Sequence, residues 1–368
     1  MPLPAPPTRL TAFAPEGVGE VRPGDDLVDL LLTALEANGE RLLDDDVVLV
    51  TSKVVSKAED RQRSGERDEV LADETVRVVA RRGPTTIVRT RHGLVMAGAG
   101  IDSSNTDAGS VLLLPVAPDA SARVLRAALA ERTGRRVAVI VTDTAGRAWR
   151  HGQTDIAIGM AGLAPYDDHA GLTDAHGNTL AVTAPAVPDE LAAVGDLVKG
   201  KLSGRPFALV RGLADRVLPV GEDGPGARAL VREPDQDLFG FGARDAVRAA
   251  ATRDDDLVGY GAPLAPEDLP AEATAVVTEL LHRLLPGPSE WTVRWVGSGH
   301  VRLRVEPGPG PIPDAFVLGQ VAGACDAWLR ACGWLPQGAP TLVDAGIYNA
   351  VELAVAPRVT PGGTPPPA

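Results

Sequence analysis

The sequence predicts an α/β protein that carries a small C-terminal α+β module, and three observations lead there. Short β-branched runs, VVLV at 47–50 and VAVIV at 137–141, are separated by stretches whose apolar residues follow helical spacing. Strands and helices in alternation build sheets covered by helices. An acidic, Ala- and Pro-rich stretch at 246–268 then reads as a linker, and beyond it the order changes to helix, hairpin, helix and strand. The expected division is 1–245 for the α/β part, 246–268 for the linker, 269–355 for the module, and 356–368 as a disordered tail with five prolines.

The elements follow in order. Pro23-Gly24 marks a turn and Asp25 is the expected cap of a helix whose Leu27, Leu30, Leu31 and Leu35 share one face, ended by Asn38-Gly39. A buried strand follows Asp46, with the polar TSKVVSK just past its end. Residues 59–68 read as a loop, 69–81 as a helix, and 87–102 as strand material broken by glycines. A helix from Asp119 to about Thr133 leads into a strand ending on Thr142 and Asp143. Residues 145–180, rich in Gly, Asp and His, read as a long irregular region of the kind that often carries function. A helix over 188–199 and the strand PFALVRG complete the first part. In the module the pattern gives a helix in PAEATAVVTELLHRLL and a hairpin of WTVRWVG with HVRLRVEP, closed at Ser298-Gly299. A helix over 314–332 and a strand near 341–355 follow.

Composition excludes several classes. The charge is 36 basic against 49 acidic residues, net −13, which disfavours nucleic acid or an anionic membrane as partner. No apolar run approaches the roughly 20 residues of a membrane span, and the N-terminus lacks the apolar core of a secretory signal. The two cysteines, Cys325 and Cys332, are too far apart along a helix to bridge, which points to a reducing cytoplasm. Lysine is scarce: Lys53, Lys57, Lys199 and Lys201 are the only four, in two tight clusters, and arginine serves everywhere else. A compact ammonium does what a planar guanidinium cannot, so the clusters read as functional.

Four segments carry candidate chemistry. Thr51-Ser52-Lys53-Val54-Val55-Ser56-Lys57 places hydroxyls and ammonium groups at a strand end, which suits polyphosphate oxygens. Asp102 and Asn105, in GAGIDSSN, offer hard oxygen ligands and an amide, although such a stretch is also an ordinary turn. The most specific segment is VTDTAGRAWRHGQTD. Its strand ends in Asp143 between Thr142 and Thr144, oxygen ligands that suit Mg²⁺ or Mn²⁺, and Arg147 and Arg150 add forked donors for carboxylate or phosphate. Trp149 suits stacking on a planar ring or simple packing, and His151 reads as a hydrogen-bonding group. GDLVKGK imitates a P-loop but puts Leu202 where a metal-binding hydroxyl is needed and follows a helix, so it is rejected as one.

Taken together, PGDDL, VTSKVVSKAE, TRHGLVMAGAGIDSSN, LLPVAPDASA, VTDTAGRAWRHGQTDIAIG, DELAAVGDLVKGK and ALVRG resemble the coenzyme F420-0:L-glutamate ligase family over about residues 15–240. The resemblance implies a two-part α/β ligase fold with mixed sheets, a homodimer, GTP as co-substrate, and Mg²⁺ or Mn²⁺ as two ions, with K⁺ as a further cation. It places nucleotide contacts at Val18, Gly19, Glu20, Val21, Ser52, Lys57 and Asn105, and metal ligands at Asp102, Asp143 and Thr144. Asp143, Arg147 and Arg150 become the catalytic set. The implied reaction phosphorylates the carboxylate of F420-0 with GTP and joins L-glutamate to it through an acyl phosphate.

The chain departs from the family pattern at Gly19, usually proline, at Asp60, usually glycine, at His151, usually asparagine, and at Ala184, usually glutamate. The module is shorter than the flavin-binding domain of some relatives and lacks a basic start for FMN phosphate, so a reduced remnant or a dimerisation module is expected, without FMN. Two other readings stay open: the same chemistry on another acid and amine, and a non-catalytic nucleotide-binding subunit.

Overall fold

The computed structural model describes residues 7–65, 67–103, 109–237, 239–251, 271, 274–276, 278–279, 291–296, 301–307, 315–337, 341–344 and 349–357. The chain forms two compact units. The first holds Met1–Val78 and Gly83–Val231; the second holds Val79–Arg82 and Arg232–Ala368.

The first unit runs β1 (Thr11–Phe13), α1 (Leu27–Ala37), β2 (Val47–Thr51), α2 (Ser52–Ala58), β3 (Gln62–Ser64), α3 (Arg67–Glu74), β4 (Thr75–Arg82, of which Val79–Arg82 is counted with the second unit), β5 (Thr85–Thr90), β6 (Val95–Ala97) and β7 (Ser110–Leu112). It continues with α4 (Pro118–Thr133), β8 (Ala138–Gly146), β9 (Gln153–Ala161), α5 (Val187–Lys199) and β10 (Phe207–Arg211). The main sheet has the order β1-β10-β2-β8-β9, with β2 and β8 parallel and the other pairs antiparallel. Two small sheets, β4-β5-β6 and β3-β7, complete it, so the chain is mixed α/β as expected.

Alternation along β2 and β8 sorts side chains to two faces. Val48, Val50, Val139 and Val141 join Leu27, Leu31 and Leu35 of α1 and Leu129 of α4 in one core. Val47, Leu49, Ala138 and Ile140 join Val187 and Leu191 of α5 in the other. Each fully buried Leu, Ile or Val contributes about 1.5–3 kcal/mol. The sheet is thus covered on both faces, as its nearly continuous apolar strands require. Packing of α4 on β9 is close enough to demand glycine at 159, where a Cβ would lie 2.3 Å from the Pro118 carbonyl carbon.

Several expectations are corrected. The cap of α1 is Asp26, whose carboxylate accepts from the Val28 and Asp29 amides at 3.0 and 3.1 Å; Asp25 instead closes the preceding turn on the Arg22 amide. The expected helix over 69–81 stops at Glu74. The β-branched Thr75, Val76, Val78 and Val79 then form β4, because partnered strand suits such residues better than helix. The irregular region over 145–180 contains β9, which folds back on β8. TDIAIGMA was obscured by its small residues, which pack under α4 and α5.

The second unit holds α6 (Ala243–Ala251), β11 (Trp291–Val296), β12 (Val301–Pro307), α7 (Ala315–Ala331), β13 (Trp334–Pro336), β14 (Thr341–Asp344) and β15 (Asn349–Pro357). Its sheet has the order β11-β12-β15-β13, with β14 pairing β15. The expected β11–β12 hairpin pairs antiparallel, while its Ser298-Gly299 closure lies outside the described residues. The single strand expected near 341–355 is instead the β14–β15 pair, and α6 occupies the start of the expected linker. Cys325 and Cys332 are free thiols, Cys325 buried. No helix among the described residues is long and apolar enough to cross a membrane.

Candidate active site

The parallel strands β2 and β8 end side by side, Thr51 opposite Thr142. Carboxyl ends of parallel strands are where α/β folds bind ligands. The chain past β2 turns at once into α2, so Ser52, its first residue, faces the end of β8. The Ser52 hydroxyl donates to Asp143 Oδ1 at 2.7 Å. Across β8 and β9 the register shifts between Val141 and Thr142, a bulge of the sort that re-aims side chains next to active sites.

Asp143 remains partly open to solvent, yet protein surrounds its carboxyl. Burial pushes its pKa up to about 6; the Ser52 hydrogen bond opposes this, and repulsion from Asp155 and Asp102 adds to it. Three carboxylates therefore share one field. Asp102, held in place by a bridge to Leu112, forms a 2.6 Å ion pair with Lys53 Nζ from the first turn of α2. From the last turn of α2, Lys57 pairs with Glu20 and so ties the 18–21 segment to the same helix. Val18 and Val21 anchor that segment in the core.

Behind Asp143, on the α5 face, lies a second cluster. Asp155 Oδ2 accepts from Thr142 and from Lys199 Nζ, both at 3.0 Å, and its Oδ1 accepts from Thr144 at 2.8 Å. Lys199 also donates to Thr142 at 2.9 Å and Thr51 at 3.1 Å.

The structure thus brings Ser52, Asp102 and Asp143 together, with Glu20 and Lys57 on the same helix side. Thr144 turns its side chain to Asp155, on the sheet face opposite Asp143. Arg147 and Arg150 lie exposed in the loop that closes the β8–β9 hairpin, where the Arg147 guanidinium donates to the His151 carbonyl at 2.8 Å. Trp149 between them is 87% exposed and has φ of 64°. Asn105 lies outside the described residues. Sequence reasoning gave no role to Asp155 or to the pairing of Lys53; the lysine clustering was the one signal pointing to Lys53 and Lys199.

Among the described residues no group of three His, Cys, Asp or Glu side chains is arranged to hold a metal by itself. The donor chemistry still fits Mg²⁺ or Mn²⁺. Mg²⁺ is commonly held by one or two carboxylates, with substrate phosphates and waters filling the shell. Asp102 and Asp143 are two such carboxylates, and their mutual repulsion is what a cation would relieve.

Fold and site together define an α/β protein whose chemistry gathers carboxylates, hydroxyls and lysines at the ends of a parallel strand pair. The model of the F420-0:Gamma-glutamyl ligase family matches two overlapping stretches, residues 17–67 and 64–212. The Coenzyme F420:L-glutamate ligase of Methanothermobacter thermautotrophicus is 38% identical over 248 residues, 61% of this chain and 96% of that protein. Its namesake from Haloarcula marismortui is 38% identical over 256 residues, 62% of this chain and 95% of that protein. That from Archaeoglobus fulgidus is 39% identical over 225 residues, 56% and 88%. The chain belongs to the F420-0:gamma-glutamyl ligase family. The family model covers Ser52, Lys57, Asp102, Asp143 and Asp155 and ends ahead of Arg232–Ala368, the larger part of the second unit.

Proposed function

We propose that this chain is a GTP- and divalent-metal-dependent ligase that joins the amine of L-glutamate to the carboxylate of coenzyme F420-0. The observation that carries the reading is the Ser52–Asp143–Asp102 cluster, built at strand ends by residues of the family's matched region. Lys57 and Lys53 would bind phosphate oxygens, leaving Glu20 and Asp102 as the nucleotide enters. Asp102 and Asp143 would hold a Mg²⁺ or Mn²⁺ ion, which would supply positive charge to offset that of the phosphate groups. Ser52 holds Asp143 in place and stabilises its ionised form. Arg147 and Arg150 would hold the anionic acceptor, with Trp149 against its flat ring.

In the proposed reaction a carboxylate oxygen of F420-0 attacks the γ-phosphorus and GDP leaves. The glutamate amine then attacks the acyl carbon, phosphate departs, and the nitrogen loses a proton. The enzyme works in the cytoplasm as a homodimer, with K⁺ as the remaining cation to be tested; the second unit is a dimerisation module or reduced remnant without FMN. Purified protein incubated with GTP, Mn²⁺, glutamate and F420-0 should add glutamyl units detectable by mass. A second reading, the same chemistry on another acid and amine, is favoured by Gly19, His151 and Ala184. It would give no mass gain on F420-0 but glutamate- or amine-dependent GDP release with a different acid.

A further inference from the structure

Lys199 is buried, its side chain 5% exposed, and Asp155 beside it is equally enclosed. An ammonium has three donors. Here they meet three oxygens: Thr51 Oγ1 at 3.1 Å, Thr142 Oγ1 at 2.9 Å and Asp155 Oδ2 at 3.0 Å. These oxygens come from β2, β8 and β9, and the ammonium comes from the end of α5. The cage is all oxygen, carries one negative charge, and encloses a compact cation.

Two further facts set it apart from an ordinary ion pair. Arginine supplies 32 of the 36 basic residues, yet this enclosed position holds one of the four lysines. Three oxygens converging on a single point suit a compact ammonium, whereas the planar guanidinium of buried Arg126 meets oxygens spread around its rim. A buried ion pair is also a poor source of net stability, so its retention calls for a positional reason. The position supplies one. Thr51 and Thr142 immediately precede Ser52 and Asp143, so the cage fixes the backbone from which both are presented.

We infer that the Lys199 ammonium is a built-in monovalent cation, filling an oxygen site that would otherwise suit K⁺ and removing the need for that ion beneath the Asp143 centre. An ammonium group and a potassium ion are similar in size and both accept an oxygen shell, so the one can stand for the other. The expectation of K⁺ as a cofactor is thereby opposed for this chain: its place is taken by a side chain. Lys199 is a positioning residue in this account. Its link to turnover rests on the proposed ligase reading, whereas its link to stability does not.

The test compares wild type, Lys199→Ala and Lys199→Ala/Asp155→Asn in KCl, NaCl and tetramethylammonium chloride at equal ionic strength, reading Tm first and turnover second. Wild type should show the same Tm in all three salts. Lys199→Ala should melt lower in tetramethylammonium and recover saturably with K⁺, less with Na⁺. The double variant should lose that K⁺ response, because the charged oxygen of the cage is gone. A saturable K⁺ requirement in wild type would overturn the inference. So would a Lys199→Ala protein that shows no K⁺-specific rise in Tm, or that fails to fold even with K⁺ present. If the Tm pattern holds while no ligase turnover is found with any acid, the cation inference stands and the reaction assignment fails.

Discussion

The Ser52 hydroxyl donates a 2.7 Å hydrogen bond to Asp143, joining the first turn of α2 to the end of β8 across 91 residues. This bond is the main influence holding the Asp143 pKa down against burial and against its two carboxylate neighbours. Replacing the serine should therefore be felt in acid before it is felt in base. In Ser52→Ala the acidic limb of the kcat/KM profile should move to higher pH. At neutral pH the loss should be about tenfold, the rate equivalent of a charged hydrogen bond worth about 1.5 kcal/mol. A pH–rate profile of both proteins checks this.

Asp143 itself makes stability pH-dependent with a definite sign. Its pKa is raised from 3.8 to about 6 in the folded protein. Between those values the folded state holds a proton that the unfolded state has released, so the contribution of Asp143 to stability is fully present below 3.8 and is lost as pH rises through about 6. With chelator present, Asp143→Asn should be more stable than wild type at pH 7–8, and the gap should shrink toward pH 4. Urea titrations across that range read it, and adding Mn²⁺ should raise the wild-type Tm but not that of the variant.

Trp149 keeps a left-handed backbone, φ of 64°, while its ring stands 87% exposed. A bulky residue there costs about 1–2 kcal/mol, a cost that the proposed acceptor contact would account for. Trp149→Gly should keep or gain stability, by up to about 1 kcal/mol, and should raise KM for the acid substrate roughly tenfold if about 1.4 kcal/mol of ring contact is lost. A variant with unchanged KM would remove Trp149 from the acceptor site.

Asp60 stands where the family pattern has glycine, and its φ of 54° explains that preference. Aspartate tolerates this conformation better than most residues. Asp60→Gly should change stability by no more than about 0.5 kcal/mol, because relief of strain is offset by the freer unfolded chain. Asp60→Val should lose about 1–2 kcal/mol. Chemical denaturation distinguishes the two.

Much of this was legible in the residues. The buried runs around Val47 and Ile140 betrayed β2 and β8 because both faces of those strands are covered. The spacing of Leu27, Leu31 and Leu35 betrayed α1 because it has one buried face. Ser52 and Asp143 stand out as a hydroxyl and a carboxylate at the ends of apolar strands, and Asp102 as a hard oxygen ligand in a stretch that also reads as an ordinary turn. The β4 error arose where VRVVARR reads as helix or strand alike until a partner strand decides. The β9 error arose because Ala157, Gly159 and Ala161 are small for helix packing, which hides a strand's pattern. Lys199 and Asp155, 44 residues apart, meet only through the docking of α5 on the sheet, which no local pattern records.

The central claim, that the Asp143 centre activates a substrate carboxylate with GTP, is tested most directly by isotope transfer. F420-0 labelled with ¹⁸O in its reacting carboxylate is turned over with GTP, glutamate and Mn²⁺, and the released phosphate is analysed by mass. One labelled oxygen per phosphate, formed by wild type and not by Asp143→Asn, is the predicted result. Unlabelled phosphate alongside glutamyl product, or equal transfer by Asp143→Asn, would contradict it.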